Sequence, residues 1–147
     1  MAVAPPLAGL ILAAAGAILV LATGQGTRAS AIAGFVTAAL LVLGFGAAVM
    51  APLATFVLGA GILTRVGRRI KEQSHSAEAN RGRRSATQVV AKLGIPALLG
   101  LVAAFSGDRQ GWLAAAATAS MAGAFADTAA TEIGPLTMRP STSTATI

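Results

Sequence analysis

The chain has 147 residues, of which 55% are hydrophobic and only 11% charged, against about 25% charged in an ordinary soluble domain. That deficit excludes a water-soluble globule, which would have a large surface and too few charges to cover it. With no cysteine, a disulfide framework and a thiolate metal site are excluded too. The net charge of +6 is concentrated in a few places.

In chain order, the first apolar segment runs over residues 4–22 behind Pro5-Pro6. Prolines are tolerated there because the first turn of a helix has no donor to lose. No Lys or Arg precedes the run, so it is expected to be a retained transmembrane helix, not a cleaved signal. Gly24-Gln25-Gly26-Thr27-Arg28 reads as a loop. Residues 31–63 carry no charge and are too long for a single span of about 20 residues. Two spans, 31–48 and 52–64, are expected, turning between Gly44-Phe45-Gly46 and Pro52. The segment 65–88 is polar and basic. A fourth span follows at 89–105, carrying Pro96. After the turn at Ser106–Gly111, Trp112 opens a fifth span, 112–126, as interfaces favour. A Pro-, Ser- and Thr-rich tail at 135–147 is expected to be disordered. The expected architecture is therefore all-α, a polytopic transmembrane bundle of about five spans. Its apolar mass of Ala, Leu, Val, Ile and Gly suits helices that pack closely in lipid.

Basic residues in short loops stay cytoplasmic. Arg65, Arg68, Arg69, Lys71, Arg81, Arg83, Arg84 and Lys92 flank the 65–88 connection, which is therefore expected on the cytoplasmic face of a cell membrane. Counting spans then puts the N-terminus outside and the C-terminus in the cytoplasm. Asp127 and Glu132 fall on the same side as the basic connection. Membrane lipids are the expected surroundings, with self-association or partner helices also open, and no nucleic-acid partner is expected.

The segment Ala126-Asp127-Thr128-Ala129-Ala130-Thr131-Glu132-Ile133-Gly134 holds two of the chain's five acids. At about 100° per residue, Asp127, Thr131, Thr128 and Glu132 lie at about 0°, 40°, 100° and 140°, a continuous polar arc. Two readings stand. Such a stripe on a membrane helix normally faces the bundle interior or a watery cavity. Carboxylates and hydroxyls are ligands for Mg²⁺, which keeps waters and takes substrate phosphates. Alternatively, the acids have left the membrane and are simply solvated. The basic connection likewise either contacts phosphates or only sets topology. Gly59 and Gly61 are expected to permit close helix contact. No Walker phosphate-binding motif occurs.

Three stretches resemble the integral membrane family that contains transmembrane protein 19 and the plant phytyl-phosphate kinases. Phe56–Lys71 resembles the family's Phe-rich span ending in Leu-Thr-Arg/Lys-x-Gly-x-x-x-Lys. Asn80–Gly94 is similar to its Gly-Arg-x-x-x-Gln-Val-Leu-Ala-Asn-Gly segment, with Lys92 where the family usually has Asn. Ala126–Gly134 looks like its Ala-Asp-Thr-x-Ala-Thr/Ser-Glu-Ile/Leu-Gly signature. The resemblance implies transfer of a phosphoryl group from a nucleoside triphosphate to an isoprenoid phosphate, with Mg²⁺. It implies Asp127 and Glu132 as catalytic and metal-binding residues. Thr128 and Thr131 stand beside them, and Asn80, Arg83, Arg84 and Gln88 form the phosphate-binding counterpart. Usual members continue past the acidic motif into a Gly-rich segment and further spans, so a C-terminally truncated member is expected. A non-catalytic membrane protein that packs with partner helices is the alternative.

Overall fold

The computed structural model describes residues 6–73, 84–107 and 111–137. These form five α-helices: α1 (Pro6–Ala22), α2 (Arg28–Phe45), α3 (Met50–Gln73), α4 (Ala86–Ser106) and α5 (Trp112–Thr137), with a 3-10 turn at Ala47–Val49 before α3. The expected all-α bundle is what is found. Three stretches, Arg28–Phe45, Ala47–Arg65 and Ala86–Ser106, are long and apolar enough to cross a membrane. The α1 helix is as apolar but shorter, at 17 residues. The α5 helix is the longest, and its Ser, Thr, Asp and Glu residues dilute its hydropathy.

The turn between α2 and α3 is tighter than the sequence suggests. It occupies Gly46–Val49, and Gly46 has φ +80°, a conformation that costs a residue with a Cβ. Pro52 sits in the first turn of α3, where its missing N–H is harmless. Two helices outrun their apolar segments: α3 continues to Gln73 and α5 to Thr137, so the acidic motif is helical throughout.

Packing runs from α1 to α2, α2 to α4, α4 to α5 and α5 to α3, while α1 and α3 barely touch. The central contact is α2 on α4. A Cβ on Gly44 would come within 2.7 Å of Gly100 Cα, and one on Gly100 within 2.7 Å of the Leu40 carbonyl. Gly44, read from sequence as part of a turn, is therefore a helix-crossing residue. Gly59 faces the Phe125 ring of α5, where Phe125 also meets Phe56 edge-on at 6.5 Å.

Residue size is distributed as lipid requires. Small side chains such as Ala13, Ala31, Ala38, Ala60, Ala97, Ala103 and Ala117 are buried beside Leu41, Val42 and Met121. Leu7, Ile18, Ile32, Leu58, Ile62, Ile95, Leu98 and Phe105 point outward. Lipid tails are as apolar as leucine, so small residues inside let backbones approach while large ones face the hydrocarbon. Buried hydroxyls are satisfied within their own helices: Thr37 donates to the Ala33 carbonyl at 3.0 Å and Ser30 to the Thr27 carbonyl at 2.8 Å. Among the described residues, no buried side-chain nitrogen or oxygen lacks a partner, as the bilayer demands.

The Gly44–Gly100 crossing makes an asymmetric prediction. Gly44→Ala overpacks it and is expected to cost about 1–3 kcal/mol, whereas Gly34→Ala in the same helix, where an added Cβ meets nothing within 4 Å, is neutral or slightly stabilising. Thermal melts of the two variants in detergent, followed by helical circular dichroism, compare them.

Candidate functional site

One end of the bundle gathers the end of α1, the start of α2, the described side chains of α3 up to Arg65, the start of α4 and the acidic part of α5. Its framework is backbone. Thr27 caps α2 by accepting from the Ser30 N–H at 3.1 Å. Ser85 and Gln88 form a reciprocal capping box on α4: the Gln88 N–H donates to Ser85 Oγ at 3.3 Å and the Ser85 N–H to Gln88 Oε1 at 3.1 Å. Gly26 and Arg84 form a parallel bridge. In it the Arg84 N–H donates to the Gln25 carbonyl at 3.0 Å and the Thr27 N–H to the Arg84 carbonyl at 3.3 Å. The loop before α2 and the residue before α4 are thus one rim.

Two polar clusters sit at this rim. In the first, Lys92 Nζ lies 3.2 Å from an Asp127 carboxylate oxygen and donates to Thr128 Oγ1. The Thr128 hydroxyl in turn donates to the Ala124 carbonyl at 2.9 Å, so its buried oxygen both gives and receives. Lys92 is 31% and Asp127 66% exposed in their side chains. The pair is therefore a partly solvated one, of modest energy. In the second cluster, Arg84 is half-buried, and burial lowers the pKa of its guanidinium while the Glu132 carboxylate acts to raise it. Arg84 also lines a recess of about 100 Å³ with Thr23, Gly24, Gln25, Gly61, Thr64 and Arg65.

The expected polar arc on α5 is split. Asp127 and Thr131 are exposed, whereas Thr128 is buried and Glu132 partly so. Thr131 Oγ1 donates to the Thr128 carbonyl at 2.9 Å. Of the proposed phosphate-binding residues, Arg84 reaches the rim, while Gln88 has its amide oxygen engaged in capping α4. Asn80 and Arg83 lie outside the described residues. Asp127 and Glu132 share their end of the bundle with Arg84, just before α4, and Lys92, in its second turn.

Lys92 was missed as a site residue, although a lysine inside an apolar helix was the available signal: it needs an anionic partner. No motif announces Thr23, Gln25, Thr64 or Arg65, which become neighbours only through the helix order.

Among models of known families, the one described as integral membrane protein DUF92 matches residues 8–146. No curated protein and no solved structure matches the chain.

The first cluster is testable as a coupled unit. A double-mutant cycle with Lys92→Gln and Asp127→Asn is expected to return a coupling of roughly 0.2–1 kcal/mol, read from unfolding in detergent. Thr128→Val, which removes an acceptor from Lys92, is expected to cost about 1 kcal/mol in the same measurement.

Proposed function

Because this chain belongs to the integral membrane protein family DUF92, we propose that the polar end of its bundle transfers a phosphoryl group from a nucleoside triphosphate to an isoprenoid phosphate, as the resemblance to the phytyl-phosphate kinases implies. The observation that carries the reading is the meeting, at one end of an otherwise apolar bundle, of two carboxylates with Lys92 and Arg84. An acceptor with a phosphate head and a hydrocarbon tail suits such a boundary.

Phosphoryl transfer asks little covalent chemistry of a protein; positioning and charge neutralisation do most of the work. An oxygen of the acceptor phosphate forms the new bond to the γ-phosphorus, the bond from that phosphorus to the β–γ bridging oxygen breaks, and the nucleoside diphosphate leaves. The acceptor oxygen is already deprotonated, so no general base is needed. Arg84 and Lys92 would hold negatively charged phosphates, Arg84 from a half-buried position tied to the rim by its backbone. The exposed Asp127 and Thr131 and the partly buried Glu132 offer oxygen donors at the same end of α5. That donor set fits Mg²⁺, which uses one or two carboxylates and completes its shell with water and substrate phosphate. Among the described residues, no three acid, His or Cys side chains gather to complete a shell alone. Bound there, Mg²⁺ would neutralise charge that develops on the transferred group.

A non-catalytic reading has one observation in its favour. The exposed face of α5 is built mostly of small residues, including Ala115, Ala119, Ala122, Gly123, Ala126 and Ala130, and a Cβ on Gly123 would meet nothing within 4 Å. Small residues on an open face suit another helix.

Purified protein given a nucleoside triphosphate, Mg²⁺ and a prenyl phosphate is expected to make the diphosphate, with chelation of the metal abolishing turnover. Asp127→Asn and Glu132→Gln are each expected to lower the rate on the order of a hundredfold or more. Absence of turnover, with prenyl-phosphate binding unchanged in both variants, refutes the kinase reading, and stability only alongside a partner supports the packing one. Orientation is checked separately, since the chain has no cysteine of its own. In intact cells, a membrane-impermeant thiol reagent is expected to label Ser106→Cys and to spare Ala29→Cys.

A further inference from the structure

We infer that the recess between the α1–α2 loop and α3 is a subsite for a phosphate monoester dianion, held by the guanidinium groups of Arg65 and Arg84. This deepens the proposed function in one respect, that the dianion is the head of the isoprenoid acceptor; the recess as an oxyanion site stands on its own geometry.

Three observations converge there. First, the recess is lined by Thr23, Gly24, Gln25, Gly61, Thr64, Arg65 and Arg84, with two cations and no acid among the described residues. Its volume of about 100 Å³ holds several waters, and so a small oxyanion. Second, Arg84 is half-buried on a fixed backbone, bonded on both sides to Gln25 and Thr27. The guanidinium is thus carried on a fixed backbone, and its planar fork suits the oxygens of a phosphate. Third, the wall opposite is shaped by a close approach: a Cβ on Gly61 would come 2.8 Å from Gln25 Oε1. The glutamine amide thus packs directly against α3 and closes one side of the recess.

The neutral groups do not carry the binding. The Thr23 hydroxyl donates to the Leu19 carbonyl at 2.8 Å and the Thr64 hydroxyl to the Ala60 carbonyl at 2.8 Å, so both donors are used at rest. The charge must come from the arginines. Of the acids on α5, Glu132 interacts with Arg84 but is not among the lining residues; among the described residues it offsets part of one charge of the two arginines.

The test is equilibrium binding to the full chain in nanodiscs, comparing geranylgeranyl phosphate, geranylgeraniol and inorganic phosphate. The monophosphate is expected to bind at least tenfold more tightly than the alcohol. Arg65→Gln, at an exposed position where folding is not at stake, and Arg84→Gln are each expected to weaken it about tenfold. Arg28→Gln removes the same charge from the same end but outside the recess and is expected to change binding less than twofold. Equal binding of phosphate and alcohol, or equal losses in Arg28→Gln and Arg65→Gln, overturns the proposal. Inorganic phosphate bound as tightly as the lipid, and lost in Arg65→Gln, retains the oxyanion site and removes the lipid as its source. Arginine-dependent binding without nucleotide-dependent turnover retains the recess and removes the kinase reading.

Discussion

The backbone contact of Gly44 with Gly100 is the constraint from which the arrangement of this bundle follows. In lipid there is no hydrophobic drive to bring two apolar helices together. Association depends on close packing, and only a helix lacking a Cβ at the crossing approaches another this closely. With α2 and α4 joined, α1 docks on the flank of α2, α5 on α4, and α3 on α5. The two central helices also run parallel, both beginning at the same end. Their preceding loops are therefore side by side, so that the Gly26–Arg84 bridge can form. A contact between two glycines near the far end of the pair thus sets the geometry of the polar rim.

The rim solves an electrostatic problem in a chain with few charges. Lys92 lies inside the first two turns of α4, beyond Ser85 and Gln88. Its long stem carries the ammonium back toward the rim, where the Asp127 carboxylate and the Thr128 hydroxyl meet it. Arg84 stays at the mouth, tempered by Glu132. The result is two adjacent regions of different character: an almost neutral Lys–Asp–Thr cluster and a recess whose described lining holds two arginines and no acid.

Much of the fold was legible in the sequence because the bilayer imposes simple rules. Apolar length gave the helices, and the charge deficit gave the class. The 100° spacing on α5 gave one continuous polar arc, whereas in the bundle Thr128 is buried while Asp127 and Thr131 stay exposed. Neighbour order was not visible. Periodicity says which face of a helix is polar but not which helix it meets, so the pairing of Lys92 with Asp127 and the approach of Arg84 to Gln25 were out of reach. Gly44 shows the same limit. Glycine near proline reads as a turn, and two residues' difference, between Gly44 and Gly46, separates a crossing point from a chain reversal. Gln88 stood in a stretch read for phosphate, but its amide also completes a helix cap, and sequence spacing cannot separate those uses.

The Gly26–Arg84 bridge also bears on how the protein is made. It joins the two ends of a long stretch of chain, including all of α2 and α3. Contacts so far apart along a sequence close late, since the intervening chain must first lose its freedom. During synthesis the first three helices can enter the bilayer while the residue that completes the rim has not yet been translated. The rim is thus absent from any partly made chain, and chemistry that depends on it begins only once α4 has been seated against α2.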